Sequence, residues 1–351
     1  MDPKEIAIRV GAAGIVGMGG AAFPSAVKLD LGRKSGIQTL FINGGECEPY
    51  LTCDDRLMRE RADEIVDGVR IMLHGLQAPR SYVVIEDNKP EAFAAMSKAA
   101  EPFPEVSVVV VPSRYPMGWD RAMIRYILRK EIPADARATD LGVLMHNVAT
   151  AYSTHRALRF GEPLIRRIVT VSGGAVGQPT NIDAPLGTLL SDLFKFCGCN
   201  PAEASRLIIG GPMMGEALPH AGVPLVKGIN GLLALREEET TKSEPQPCIR
   251  CSRCVEACPV GLLPLEMSSR IKAGKLDSAV DYGLKDCISC GSCSYVCPSE
   301  IPLVHYFKYA KDSLVAQHKA NHKAEQTKKL TEARQARLER ARKQAEEEDD
   351  D

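Results

Sequence analysis

Cys248-x2-Cys251-x2-Cys254-x3-Cys258-Pro259 reappears 39 residues later as Cys287-x2-Cys290-x2-Cys293-x3-Cys297-Pro298. Eight of the chain's 12 cysteines lie in these two runs. Because the ligand-type residues and the proline all shift together, the segment is an internal duplication. Three thiols three residues apart wrap a tight loop around one face of a compact group, with backbone amides turned toward its sulfurs. The fourth thiol starts a new direction, enforced by the proline.

That spacing is the one by which bacterial ferredoxins hold [4Fe–4S] clusters, and in two-cluster proteins the fourth cysteine reaches the other cluster. The expected sets are therefore Cys248, Cys251, Cys254 with Cys297 (cluster 1), and Cys287, Cys290, Cys293 with Cys258 (cluster 2). Structural zinc is the alternative, but its ligands usually come as two, a long spacer and two more. Such clusters move single electrons, so the module reads as a relay. Cys47, Cys53, Cys197 and Cys199 lack the pattern, and Cys197-Gly198-Cys199 reads as two reduced, partly buried thiols.

A length of 351 residues suggests two or three domains. Lys and Arg number 44 against 45 Asp and Glu, a net charge of −1, so no basic field invites nucleic acid. Val106–Val111 is typical of the longest apolar stretches, far short of the roughly 18 residues of a membrane span. Met1-Asp2-Pro3-Lys4-Glu5 carries no basic region followed by an apolar run, so no secretory signal is expected. Clustered cysteines in such a chain point to metal or redox chemistry rather than disulfides.

Asp2 and Pro3 open a helix to about Ala13, with Glu5 placed for a capping box. Short β-branched segments then alternate with longer helical ones. Thr39–Asn43, Ser81–Glu86, Val106–Val111 and Gly142–Met145 read as strands; 55–75, 91–100, 121–130 and 148–160 read as helices. Such alternation predicts an α/β fold with a parallel sheet. Near residue 163 the rhythm changes. Segments 164–172, 173–177, 184–197, 207–211 and 231–235 predict a small glycine-rich domain of strands around one helix.

The expected division is 1–162, 163–236, a linker 237–247, an α-helical cysteine module 248–311 and a charged helical tail 312–351. The tail's Lys, Arg, Glu, Gln and Ala leave it polar all round, so core packing cannot stabilise it as a helix. It is expected to be solvated, partner-bound or disordered.

In the first segment, Gly17-Met18-Gly19-Gly20-Ala21-Ala22 formally matches G-x-G-x-x-A, the dinucleotide fingerprint, yet a helix rather than a strand precedes it. Its glycines let backbone approach a flat or phosphorylated ligand; a glycine-rich turn on a crowded core is the plain alternative. Pro24 starts a short helix whose amides face a phosphate well, with Lys28 one turn on. Asn43-Gly44-Gly45-Glu46-Cys47-Glu48-Pro49-Tyr50 follows the first strand, where ligands bind in open α/β sheets. Glu46 and Glu48 there suit ribose hydroxyls and would repel a 2′-phosphate, favouring NADH over NADPH; a solvated acidic loop is the alternative. Tyr115-Pro116-Met117-Gly118-Trp119-Asp120, with the only tryptophan, and His146-Asn147-Val148-Ala149-Thr150 add polar groups at element ends.

Gly17 to Pro24 with Lys28 resembles the FMN loop of the NADH-binding flavoprotein subunit of respiratory complex I. Asn43 to Pro49 is similar to that family's Asn-x-Asp-Glu-x-Glu-Pro turn, with Gly45 in place of the aspartate. The domain order resembles more closely still the RnfC (RsxC) family of Rnf ion-translocating electron transport complexes. Gly210–Gly215, Lys227–Leu235 and the tail stretch Glu332–Arg340 share in this likeness. The resemblance implies a flavoprotein domain, a soluble-ligand-binding β-grasp-like domain and two ferredoxin clusters. It also implies FMN, NADH as substrate, and a flavin and nucleotide pocket at Gly17, Gly19, Gly20, Lys28, Asn43, Glu46, Tyr115, Gly118, Asn147 and Thr150. Glu48 joins these from the reading of the acidic turn. The implied partners are an iron–sulfur subunit and integral membrane subunits, on the cytoplasmic side of a bacterial inner membrane. RnfC proteins usually carry a further segment before the first helix here, so a truncated or short form is expected. Two other readings share these domains: a cobalamin reductase-like protein, and a non-catalytic relay with a degenerate flavin pocket.

Overall fold

The computed structural model describes residues 1–133, 136–240 and 244–349, with side chains to residue 340. It divides into two compact units, Met1–Lys242 and Ser243–Asp351.

The first unit opens with α1 (Pro3–Ala12), capped by Asp2, whose carboxylate accepts from the Lys4 amide at 2.8 Å. Glu5 does not reach back to close the expected capping box; it pairs with Arg9 one turn on, at 2.6 Å. There follow α2 (Ser25–Lys34), β1 (Thr39–Gly44), α3 (Cys53–Glu60), α4 (Ala62–Leu76), β2 (Ser81–Glu86), α5 (Pro90–Ala100), β3 (Val106–Val111), α6 (Asp120–Leu128), β4 (Val143–Asn147) and α7 (Val148–Phe160). The helix expected over 55–75 is two helices. Arg61, at φ −132° and ψ 32°, breaks it, so that α3 packs on α5 while α4 packs on α7.

The strands form a parallel sheet in the order β3-β2-β1-β4, with Leu40 opposite both Ser81 and Leu144. Side chains alternate across it. Leu40, Ile42, Val83 and Ile85 join the core made by α1, α2, α4, α5 and α7. Phe41, Val84, Val111 and Val143 pack on Met123 and Ile124 of α6 on the other face.

The same unit continues with β5 (Arg166–Ser172), β6 (Thr180–Pro185), α8 (Leu190–Phe196), β7 (Arg206–Ile209), β8 (Glu216–Leu218) and β9 (Gly231–Leu235). Their sheet runs β6-β5-β9-β7-β8, mixed, with β5 and β9 parallel. Val169, Val171, Leu232 and Ala234 face Leu190 and Phe194 of α8. β6 has no counterpart among the expected segments, and 173–177 is a turn after β5. Cys197 and Cys199 are fully buried in this core.

The boundary between the two units falls inside the expected linker 237–247. Glu239 accepts from Tyr50, Arg236 and Gly174 in the first unit. Gln246 and Pro247 bond to Ser299 in the second. Residues 241–243 lie outside the described residues.

The second unit holds α9 (Arg253–Glu256), α10 (Pro264–Lys272), α11 (Leu276–Asp281), α12 (Ser292–Tyr295) and α13 (Leu303–Asp349). Met267, Ala279, Leu284, Phe307 and Ala310 form its core, each fully buried. α13 runs unbroken through Lys311, so the tail extends the module's last helix. From Val315 to Arg340 it is exposed on every face.

Candidate functional site

The ends of β1 and β4 meet the glycine loop. That loop closes on itself: the Gly17 amide donates to the Phe23 carbonyl at 2.7 Å and the Ala22 amide to Gly17 at 3.1 Å. Gly20 has φ +107°, a conformation that favours glycine, and a Cβ there would face open space. Gly19 and Gly20 are exposed. The loop is anchored through Met18, whose amide donates to the buried Thr150 hydroxyl at 3.0 Å. The Met18 carbonyl accepts from Arg167 at 2.6 Å, and the same guanidinium donates to Ile229 at 2.9 Å.

The acidic turn is packed into the protein. Asn43 donates to the Gly118 carbonyl at 2.9 Å and accepts from Gly45 at 2.8 Å. This brings Gly118, and the Tyr115 segment before α6, beside the end of β1. A Cβ on Gly45 would stand 3.0 Å from Met123 and 3.2 Å from the Asn43 amide oxygen, which accounts for a bare backbone there. Asn147 caps α7 through the Ala149 amide at 2.8 Å and donates to Asp54 at 2.6 Å.

Glu46 accepts from the amides of Asp54 and Asp55 at the start of α3 and from the Cys53 thiol. Burial, with the Asp54 charge nearby, pushes its carboxyl up to about 7. Asp54 is raised by burial too, opposed by Arg167 and by the Asn147 amide. Glu48 accepts from the Met213 and Met214 amides at 3.0 and 2.8 Å. Both carboxylates expected to meet ribose are thus taken up by backbone amides in this structure.

Lys28 donates to the Met145 carbonyl, and burial lowers its pKa. Next to Met145, His146 is buried with neither ring nitrogen partnered, and burial holds it well below its usual pKa. The Ser25 hydroxyl, at the start of α2, is likewise buried and unpartnered. Bare backbone at Gly19 and Gly20, an anchored cation at Lys28 and orphaned polar atoms at Ser25 and His146 fit a polar, flat ligand.

Arg167 and Asp54 escaped the sequence reading, and Cys53 was read only as a thiol outside the cluster pattern. For Arg167 the signal was present: it shares strand parity with Val169 and Val171, which places it inward.

In the second unit, one cavity of about 200 Å³ is lined by Cys248, Cys251, Cys254 and Cys297, and a second, smaller cavity by Cys258, Cys287, Cys290 and Cys293. The repeat extends to the backbone. Arg250 and Ser289 both have φ near +55°, and their amides each donate to a thiol at 3.4 Å, that of Cys248 and that of Cys287. Two cradles of four thiols, each with an amide turned toward sulfur, fit two cubane clusters.

Fold and site together define a flavin and iron–sulfur protein. The Nuo51 FMN-binding domain matches residues 10–156, the SLBB domain 168–217 and the 4Fe-4S dicluster domain 247–301. The chain is 51% identical over 321 residues to the C subunit of the ion-translocating oxidoreductase complex of Rhodobacter capsulatus, covering 91% of this chain and 62% of that one. The corresponding protein of Erwinia tasmaniensis is 45% identical over 341 residues, 97% of this chain and 42% of the relative. The chain thus spans roughly half the length of these relatives. An NAD+-reducing [NiFe]-hydrogenase in its H2-reduced state shares the fold, with TM-score 0.61 over 90% of this chain and 61% of that one at 18% identity. The cofactors these domains hold are FMN and [4Fe–4S] clusters, and no helix among the described residues is long and apolar enough to cross a membrane.

Proposed function

We propose that the chain takes electrons from NADH and delivers them singly to a partner iron–sulfur subunit of a membrane-bound, ion-translocating complex. The observation that carries this reading is the pair of four-thiol cradles in a chain with an FMN-binding domain. FMN supplies the conversion between hydride and single-electron chemistry, and the clusters supply one-electron carriage.

The chain's own residues do the rest. Gly17, Gly19 and Gly20 offer close backbone approach, and the start of α2 offers amides to a phosphate. Lys28 holds a cation at the end of β4, where it favours negative charge on a bound ligand. Asn43, Tyr115, Gly118, Asn147 and Thr150 frame the pocket. Cys248, Cys251, Cys254 and Cys297 hold one cluster; Cys287, Cys290, Cys293 and Cys258 hold the other. Residues 1–162, 163–236 and 248–311 act as flavoprotein, β-grasp-like and ferredoxin-like domains. Integral membrane subunits anchor the assembly to the cytoplasmic face of an inner membrane.

A second reading, a relay whose flavin is filled from a partner, is favoured by one observation. Glu46 and Glu48, the groups suited to a nicotinamide ribose, are engaged by backbone amides. Anaerobic titration of flavin-loaded protein separates the two. NADH, in preference to NADPH, bleaches the flavin and then the clusters if the first holds; tight FMN binding without bleaching supports the second. Small integral membrane proteins that co-purify from membranes test the assembly.

A further inference from the structure

The 39-residue repeat makes each cradle a control for the other. At equivalent positions the first cavity is lined by Ser268 and Ser299, the second by Phe307 and Val260. One cation is nevertheless kept in both halves: Lys272, the last residue of α10, and Lys311 of α13 occupy the same repeat position. Their surroundings differ. Lys272 is exposed on the rim of the first cavity, its ammonium 4.8 Å from the Tyr306 ring centroid. Lys311 is half-buried and donates to the Cys287 carbonyl, next to the fully buried Ala310. The cavity beside it is lined, apart from its thiols, by apolar side chains that include Val260, Leu262, Met267, Ile288, Val304 and Phe307.

We infer that Lys311 is the charge that tunes the reduction potential of the cluster on Cys287, Cys290, Cys293 and Cys258, and that Lys272 is its weaker counterpart at the other cradle. The inference rests on the thiol sets proposed above. Reduction adds one electron to a cluster and removes one from its donor, so the reduced group carries one more negative charge. A nearby cation stabilises that form and raises the potential. Coulomb energy varies inversely with the dielectric constant. The apolar wall leaves Lys311 little screened, whereas water and salt screen Lys272.

The test is a redox titration of the anaerobically reconstituted full chain, followed by electron paramagnetic resonance, with Cys251→Ala assigning the first-motif signal. Lys311→Gln keeps a donor for the Cys287 carbonyl but removes the charge. It should shift the second-motif potential to more negative values and leave the first unmoved, while Lys311→Arg restores it. Lys272→Gln should shift the first-motif potential by less. In the unsubstituted chain, raising the ionic strength should move the first-motif potential more than the second. Unchanged second-motif potential in Lys311→Gln with iron content intact overturns the inference, as does a Lys272→Gln shift of equal or greater size. Should Lys311→Gln lose iron, equal salt responses of the two clusters overturn it. Absence of two cubane signals in the unsubstituted chain fails the underlying reading instead, before any variant is compared.

Discussion

Arg167, on a strand of the second sheet, donates to the Met18 carbonyl at 2.6 Å, so one sheet's side chain holds the glycine loop of the other. The guanidinium is 2% exposed and its charge opposes the burial of Asp54. The glycine loop is therefore set by a residue far from it in sequence.

Replacing this cation should cost more than a hydrogen bond. Arg167→Met leaves Asp54 buried without its countercharge and frees Met18, so a loss of about 3–5 kcal/mol in stability is expected. Flavin affinity should fall with it. Thermal unfolding and fluorescence titration with FMN measure the two effects.

Glu48 and Gly211 are a matched pair. A Cβ on Gly211 would lie 2.2 Å from the Glu48 carboxylate, which is held by the Met213 and Met214 amides. Gly211→Ala should destabilise the chain by about 1–3 kcal/mol through overpacking. In a Glu48→Gly background the same change should cost clearly less, because the carboxylate and the Cβ of residue 48, 2.2 and 2.6 Å from the added atom, are both gone. A double-mutant cycle by denaturant unfolding that shows strict additivity would refute the pairing.

Glu46 makes stability depend on pH. Its carboxyl is raised by burial from an ordinary 4.5 to about 7, so the folded chain binds more protons than the unfolded one between those values. The stability that Glu46 contributes should therefore fall as pH rises through this window and level off above about 7, against the opposite contribution of His146, whose depressed pKa adds stability as pH rises toward 6.5. Glu46→Gln should flatten that slope over pH 5 to 8, read as melting temperature under anaerobic conditions. A Glu46→Gln chain whose pH slope equals that of the wild type would contradict the assignment.

Crossed ligation predicts which signal a single thiol controls. Cys258→Ala should disturb the cluster of the second motif, because Cys258 shares a cavity with Cys287, Cys290 and Cys293. The reconstituted chain should hold about eight irons before the change. Resonance spectra in which only the first-motif signal disappears would show the ligation to be uncrossed.

The tail should be dispensable for cofactors if the cut respects the core. Leu314 packs against the second unit's core, whereas Val315 to Arg340 are exposed. Truncation after Ala316 should retain iron and flavin and change stability by less than about 0.5 kcal/mol. Iron analysis and the flavin spectrum of the truncated chain check this.

What the sequence by itself determined is local. Cluster ligation needs thiols at short fixed intervals, so Cys248 to Cys258 and Cys287 to Cys297 are legible as text. The four parallel strands are legible too, since each is a short β-branched run between helical stretches. The tertiary structure alone decided what the polar groups of the site do. Glu46 and Glu48 look free in the sequence, but one folds onto the start of α3 and the other onto amides 165 and 166 residues away. Arg167 follows another arginine in the sequence, and strand parity turns it inward to meet Met18, 149 residues earlier. Buried polar atoms must find partners wherever the chain brings them. For Glu48 and Arg167 those partners lie across the contact between two sheets, and no short sequence window contains both sides of it.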